Sequence, residues 1–267
     1  MPLVEVAPDR RLNVVRRGRQ GAPGLLLVQG MSGNVVHWTE PLLQALQEHF
    51  DVVAFDHRGV GWSDRVTEPF SIRDLADDGV RVLDALGLER AAVLGISMGG
   101  MVAQELALAH RERVDKLVLG CTYAGGAGSA LTAPEDFAPL AEAMRAGDRD
   151  AVMRHGFDLN LSSGWARSQG AYEEFQRIAS TKPASQAVIM LQLQAIGGHD
   201  TSARLPSLDV PTLVVHGSDD RMLPVANARR IAELIPGARL EVLHGAGHLF
   251  WWEQPDRVLE LLEDFLL

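Results

Sequence analysis

The amino-acid sequence predicts an α/β fold, in which a mostly parallel β-sheet is flanked by helices and interrupted by a helical insertion. Short, continuously apolar runs of strand length alternate with longer segments of helical spacing, a pattern typical of a parallel sheet buried on both faces. The alternation stops between residues 122 and 204, where helical patterns follow one another, and it resumes at Val210. The length of 267 residues suits one such domain with an insertion.

The elements follow in order along the chain. Strands are expected where apolar runs end in glycine-rich or polar loops, at 12–15, 25–28, 52–55, 91–94, 114–119, 211–215 and 240–243. Helices of the core are expected where apolar residues recur at helical spacing, at 38–49, 72–86, 98–110, 226–235 and 256–265.

The insertion contains helical patterns at 134–146, 149–160, 171–180 and 184–196, after a glycine-rich connector that is expected to be flexible. We therefore predict a core of residues 1–121 and 205–267 and a helical lid of residues 122–204 over the sheet edge. The bulky apolar residues of the lid are expected to form its own core, with a minority, among them Trp165, bordering the substrate.

Composition and charge argue against several classes of protein. A net charge of −10 argues against non-specific binding of nucleic acid, and no apolar stretch reaches the roughly 20 residues that a membrane span needs. Residues 1–19 lack the pattern of a signal peptide, so a cytoplasmic location is expected. The single cysteine, Cys121, allows neither an intrachain disulfide nor a cysteine-based metal cluster.

A nucleophile is predicted at Ser97, in a G-x-S-x-G pattern with Gly95 and Gly99. The pattern follows an apolar strand and precedes a helix, the context in which such a serine is catalytic. A sharp turn would expose the hydroxyl at the sheet edge, the glycines would let strand and helix approach closely, and the helix dipole would favour negative charge nearby.

A serine hydroxyl needs a base to become a strong nucleophile, and the base is usually a histidine oriented by a carboxylate. His248 follows the last strand on a glycine-rich loop, with His244 as its rival. Asp220 follows the strand at 211–215, with Asp219 as an adjacent alternative. The glycines between the two histidines, and the lack of a glutamate beside His244, argue against a helical metal site, so no metal is expected. No cofactor is expected either.

The order Ser97, Asp220, His248 resembles the α/β-hydrolase superfamily, as do the D-x-R-G-x-G-x-S loop at 56–63 and the G-x-x-D-x-x-x-P segment at 217–224. Small bacterial carboxylesterases, 3-oxoadipate enol-lactonases and cofactor-free haloperoxidases or perhydrolases are similar. The resemblance implies that the backbone N–H groups of Met31 and Met98 form an oxyanion hole, with Gly30 beside the substrate. Gln29 stands where these proteins often have histidine.

The expected activity is that of a serine carboxylic-ester hydrolase, which cleaves a small-molecule ester or lactone through an acyl-enzyme intermediate. A carbon–carbon bond hydrolase or a perhydrolase would use the same three side chains and stays an alternative. Haloalkane dehalogenases and epoxide hydrolases of this fold need aspartate at the nucleophile position, which Ser97 disfavours. A receptor that retains the triad for ligand capture is the remaining, non-enzymatic hypothesis.

Overall fold

One eight-stranded sheet passes through the part of the protein that the computed structural model describes, residues 3–267. Its spatial order is β1-β2-β4-β3-β5-β6-β7-β8. The first two strands pair antiparallel with their neighbours, and all later pairs are parallel. The strands are β1 (Leu3–Ala7), β2 (Arg10–Arg17), β3 (Gly24–Val28), β4 (Asp51–Phe55), β5 (Ala91–Ile96), β6 (Val114–Gly120), β7 (Thr212–Gly217) and β8 (Arg239–Leu243).

Helices connect the parallel strands and fill the insertion. Within residues 3–267 they are α1 (Glu40–Leu46), α2 (Ile72–Ala85), α3 (Met98–Ala109), α4 (Pro134–Ala146), α5 (Arg149–Asn160), α6 (Ala171–Ala179), α7 (Gln186–Gly197), α8 (Ala226–Leu234), α9 (Phe250–Glu253) and α10 (Pro255–Leu266). No helix in this range is both long enough and apolar enough to cross a bilayer.

Each central strand contributes alternate residues to two separate apolar cores. Leu26 and Val28 of β3 face the core that contains α2, α3 and α8. Leu25 and Leu27 of the same strand face the opposite core, which contains α1, α9 and α10. Both faces are therefore buried, which explains why these strands read as continuous apolar runs. The predicted parallel sheet flanked by helices is confirmed.

Three local features departed from the sequence prediction. Strand β1 was missed, because in this edge strand only Val6 is buried and the apolar pattern is weak. The helix expected at 38–49 begins instead as a 3₁₀ turn, Val35–Trp38, and restarts as α1 after Thr39, whose φ of 58° is not helical. The short α9 was also not anticipated.

The four helices expected in the insertion are confirmed as α4 to α7, between β6 and β7. In the connector before them, Gly125 is buried and packed, whereas residues 126–128 are exposed. Gly125 forms a β-bridge with Asp200, and a Cβ at Gly125 would lie 2.1 Å from the carbonyl oxygen of His199. With a φ of +79°, this glycine permits close contact between two backbones.

Candidate active site

Ser97 lies at the turn between β5 and α3, in a conformation that L-residues rarely adopt (φ 55°, ψ −121°). Strain of this kind costs about 1–3 kcal/mol and is typical of functional positions. Neighbouring hydrogen bonds hold the residue in place: its N–H donates to the carbonyl of Gly120 (2.9 Å), and its carbonyl accepts from the Thr122 hydroxyl (2.8 Å). The serine is thus fixed at the carboxyl end of the sheet.

Glycines surround Ser97 because there is no room for side chains. A Cβ at Gly95 would lie 2.2 Å from the carbonyl oxygen of Gly99, and one at Gly99 would lie 2.1 Å from that of Val28. The close approach of strand and helix predicted from the G-x-S-x-G pattern is confirmed. Gly30 lies directly beside the serine, since its Cβ would be 3.2 Å from that of Ser97.

Asp220 and His248 form a buried hydrogen-bonded pair. The Nδ1 atom of His248 lies 2.8 Å from Oδ2 of Asp220, and each residue is only 5% exposed. The second carboxylate oxygen, Oδ1, accepts from the backbone N–H of Leu223 (2.8 Å). Burial by itself would raise the pKa of Asp220, but the charge of His248 and the hydrogen bonds from His216 and His248 outweigh it and lower the pKa to about 2. The carboxylate is therefore ionised at neutral pH.

The two rival residues lie elsewhere. Asp219 is exposed, and its Oδ1 accepts a hydrogen bond from the Ser218 hydroxyl (2.7 Å). His244 is also exposed, at the start of the loop that carries His248. The geometry therefore favours Asp220 and His248 over both alternatives.

A second histidine, His216, contacts the same carboxylate and was not anticipated from the sequence. Its Nε2 lies 3.0 Å from Oδ2 of Asp220 and 2.7 Å from the carbonyl of Leu223. Both partners are acceptors, so Nε2 carries the proton and donates to them. The position of His216 at the end of β7, four residues before Asp220, was the available signal.

Ser97 and His248 both line a cavity of about 200 Å³. Among residues 3–267, the Ser97 hydroxyl and Nε2 of His248 make no direct hydrogen bond, and such contacts commonly tighten only when substrate binds.

Trp165, expected beside the substrate, packs instead against an apolar cluster of the insertion that contains Phe157 and Leu161. Lining residues that the sequence did not single out are His37, Asn160, Phe175, Ala179, Met222, Leu249 and Trp251.

In the loop after β3, the backbone N–H of Met31 makes no hydrogen bond within the described residues. The N–H of Gly30 donates to Oε1 of Gln29 (2.8 Å), and the N–H of Ser32 donates to Oε1 of Gln192 (2.9 Å). Within residues 3–267, no acceptor is bonded to the N–H of Met31, which lies between them, or to that of Met98 at the start of α3. Two unengaged N–H groups near the Ser97 turn are what an oxyanion hole requires.

Gln192 belongs to α7 in the insertion and is fully buried, so the insertion holds the loop that carries Met31. We expect Gln192→Leu to lower kcat by about 10- to 100-fold, because a freed loop would misplace the Met31 N–H. The measurement is steady-state hydrolysis of an activated ester, together with thermal unfolding. Gln194→Leu, two residues further along the same helix and exposed, is the matched control. An unchanged kcat in folded Gln192→Leu would contradict the role.

Cys121 also lies against the pair, and its sulfur, the Asp220 carboxylate and the His248 ring have ligand atoms within 4.8 Å of one another. The carboxylate and the ring are already hydrogen-bonded together. Burial raises the pKa of the Cys121 thiol well above its usual range, with the negative charge of Asp220 adding to the effect. The thiol is therefore protonated at neutral pH, and Cys121 packs in the apolar core beside the pair.

Comparison with known proteins assigns the family. The family model described as the alpha/beta hydrolase fold matches residues 23–255. The chain belongs to the α/β-hydrolase family. The resemblance seen in the sequence motifs is confirmed, and the protein is a hydrolase of this fold.

Three proteins similar to this α/β-hydrolase are described with different activities. The chain is 32% identical over 249 residues to the putative carbamate hydrolase RutD of Caulobacter sp. (strain K31), which covers 91% of this chain and 90% of the relative. The structure of the enol-lactonase from Burkholderia xenovorans LB400 matches with a TM-score of 0.85 and 26% identity, covering 99% of both chains. That of Est816, described as an N-acyl homoserine lactone degrading enzyme, matches with a TM-score of 0.80 and 30% identity, covering 99% of this chain and 100% of the other.

Proposed function

We propose that this α/β-hydrolase is a serine hydrolase that cleaves a carboxylic ester or lactone through an acyl-enzyme intermediate. The observation that carries the proposal is the 2.8 Å bond between His248 and Asp220, made by a histidine that faces the same cavity as Ser97. The unengaged N–H groups of Met31 and Met98 support it. Similarity to an enol-lactonase and to a lactone-degrading enzyme points to the same reaction class.

In the first half-reaction, Nε2 of His248 takes the proton of the Ser97 hydroxyl while Oγ forms a bond to the substrate carbonyl carbon. The negative charge that develops on the carbonyl oxygen is stabilised by the N–H groups of Met31 and Met98. His248 then gives its proton to the leaving alkoxide as the carbon–oxygen bond breaks. The ionised Asp220 stabilises the imidazolium in between.

In the second half-reaction, His248 takes a proton from water, and the resulting hydroxide attacks the acyl carbon. The tetrahedral species collapses, the bond to Oγ breaks, and the proton on His248 returns to the serine oxygen. The products are a carboxylic acid and an alcohol, or one hydroxy acid from a lactone. No cofactor enters this sequence.

We also propose that the insertion acts as a lid over a small-molecule substrate. Asn160, Phe175 and Ala179 of the insertion line the cavity. Glu253 connects the insertion to the loop that carries His248. The Oε1 atom of Glu253 accepts hydrogen bonds from the N–H of Ser162 (3.2 Å) and from the N–H of Gly247 (2.9 Å). A cavity of about 200 Å³ is smaller than the usual range for drug-sized ligands, which favours a short acyl chain.

Carbamate cleavage is the second candidate function, favoured by the 32% identity to the putative carbamate hydrolase RutD. The same nucleophile and base would act on the carbamate carbonyl, with an amine or ammonia leaving in place of the alkoxide. Protonation of the leaving nitrogen by His248 would then be essential, because an amine anion is a poor leaving group.

A substrate panel tests the proposal. Short-chain p-nitrophenyl esters, simple lactones, an N-acyl homoserine lactone and a small carbamate would be assayed with the full chain, and a fluorophosphonate would be used to label the serine. We expect sustained turnover of an ester or lactone, and labelling that mass spectrometry assigns to Ser97. Labelling of Ser97 without turnover of any panel member would favour a receptor. Turnover of the carbamate alone would favour the second candidate.

A further inference from the structure

We propose that His37 is a substrate-binding residue whose Nε2–H selects small, uncharged esters or lactones carrying a second hydrogen-bond-accepting oxygen. The proposal rests on the ester or lactone hydrolysis proposed above and names the substrate class for the same site. It is carried by the position of His37 in the cavity wall, by the hydrogen bonds that fix which ring nitrogen is protonated, and by the charge of the other lining residues.

His37 is one of the residues that line the cavity to which Ser97 and His248 also contribute. It belongs to the 3₁₀ turn Val35–Trp38. The carbonyl of His37 accepts hydrogen bonds from the indole N–H groups of Trp251 (3.0 Å) and Trp252 (2.9 Å). The backbone of this residue is therefore fixed against the elements that follow the catalytic histidine, and the ring has a defined position.

The hydrogen bonds of the turn determine the tautomer of His37. Its Nδ1 accepts from the backbone N–H of Asn34 (3.2 Å), an arrangement that caps the turn. Nδ1 also lies 3.3 Å from Oδ1 of Asn34, but that oxygen already accepts from the N–H of Val36 (3.0 Å). A proton on Nδ1 would leave the buried Asn34 N–H without an acceptor, which is costly. The neutral ring thus carries its proton on Nε2.

The Nε2–H of His37 is an uncharged donor that has no hydrogen-bond partner among the described residues. Burial lowers the pKa of His37 to about 4, so the ring is neutral at physiological pH. Among residues 3–267, no acceptor is bonded to Nε2, and His37, which is partly exposed, lines the cavity. A hydrogen-bond donor on a residue of the cavity wall is satisfied when the substrate supplies an oxygen within its reach.

The remaining charges of the site disfavour an anionic substrate. No lysine or arginine lines the cavity within the described chain. Asp220, whose pKa is lowered to about 2, places a permanent negative charge behind His248. A free carboxylate on the substrate would be buried without a cationic partner, and its desolvation would not be compensated. A carbonyl, ether or hydroxyl oxygen needs only the single neutral donor that His37 offers.

The test compares matched substrates in the wild-type protein and in His37→Phe. One substrate of each pair carries an ether oxygen where the other has a methylene group. The first series consists of p-nitrophenyl esters with the oxygen at successive positions of the acyl chain. The second pair is p-dioxanone and δ-valerolactone. For each protein, the oxygen preference is the kcat/KM of the ether substrate divided by that of its methylene partner. Comparing this ratio between wild-type protein and His37→Phe removes differences in intrinsic reactivity and any disturbance of the capped turn that affects both substrates equally. We expect at least one pair for which His37→Phe lowers the oxygen preference by about five- to ten-fold, the contribution of one neutral hydrogen bond.

Two variants and one charged substrate complete the experiment. His37→Gln, which keeps an N–H donor at similar reach, should retain part of the oxygen preference. His49→Phe, at an exposed histidine, should leave the ratios unchanged. The p-nitrophenyl ester of succinate should be hydrolysed about ten-fold or more slowly than that of methyl succinate.

The outcomes separate this proposal from the one it rests on. Equal effects of His37→Phe on both members of every pair, with Ser97-dependent turnover intact, would overturn the role of His37 alone. A preference of the wild-type protein for the charged succinate ester would overturn the substrate class. Absence of turnover of every ester and lactone, without labelling of Ser97, would overturn both proposals.

Discussion

Replacing Ser97 with alanine should lower kcat for ester hydrolysis by a factor on the order of 10⁶, the loss found when the nucleophile of a serine triad is removed. The expected size follows from the chemistry, because without Oγ no acyl-enzyme forms and His248 has no hydroxyl to deprotonate. The residual rate would come from the oxyanion hole and from substrate binding alone. The measurement is kcat for a p-nitrophenyl ester. Active-site titration of the variant preparation excludes contamination by wild-type protein.

A folding control distinguishes lost chemistry from lost structure. Ser97 is held at φ 55° and ψ −121°, where alanine is strained as serine is but glycine is not. Ser97→Gly should therefore be as inactive as Ser97→Ala and at least as resistant to thermal unfolding as the wild-type protein. Retention of more than a tenth of the activity in either variant would exclude Ser97 as the nucleophile.

Much of the fold could be predicted because strands that are buried on both faces have continuously apolar sequences. β3, β4 and β5 are buried on both faces, so their apolar runs are unbroken. The convergence of distant loops also followed from topology, since the ends of parallel strands meet at one edge. Asp220 and His248 follow β7 and β8 and form the expected bond. Asp220 was preferred to the adjacent Asp219 in the sequence, and its bond to His248 supports that preference.

The cavity wall could not be predicted, because it depends on how the insertion packs against the core. Nothing in the local pattern around Gln192 indicates that its amide accepts from Ser32, a residue far away in the chain. The same holds for His37, whose role depends on which nitrogen Asn34 engages. Trp165 was expected beside the substrate on the basis of size alone, and it packs within the insertion instead. Apolar residues of an amphipathic helix look alike in sequence whether they face a core or a ligand.

Asp220→Asn is expected to lower kcat by about 10⁴-fold while the protein stays folded. In the wild-type protein both oxygens of Asp220 are acceptors: Oδ2 for His248 and His216, and Oδ1 for Leu223. An asparagine has one oxygen and one NH₂ group, so it cannot accept at all of these contacts. When its NH₂ faces His248, Nδ1 must accept and the proton moves to Nε2. The ring then cannot deprotonate Ser97.

The adjacent carboxylate provides the control for this prediction. Asp219 is exposed and bonds only to the Ser218 hydroxyl among the side chains of the described residues, so Asp219→Asn should change kcat by no more than about two-fold. Asp219→Asn removes the same formal charge from an exposed neighbouring position. A large loss in Asp220→Asn alone therefore assigns the effect to the buried carboxylate beside His248, through its charge and its hydrogen bonds. The reverse result would move the acid to Asp219 and require the loop after β7 to rearrange before catalysis.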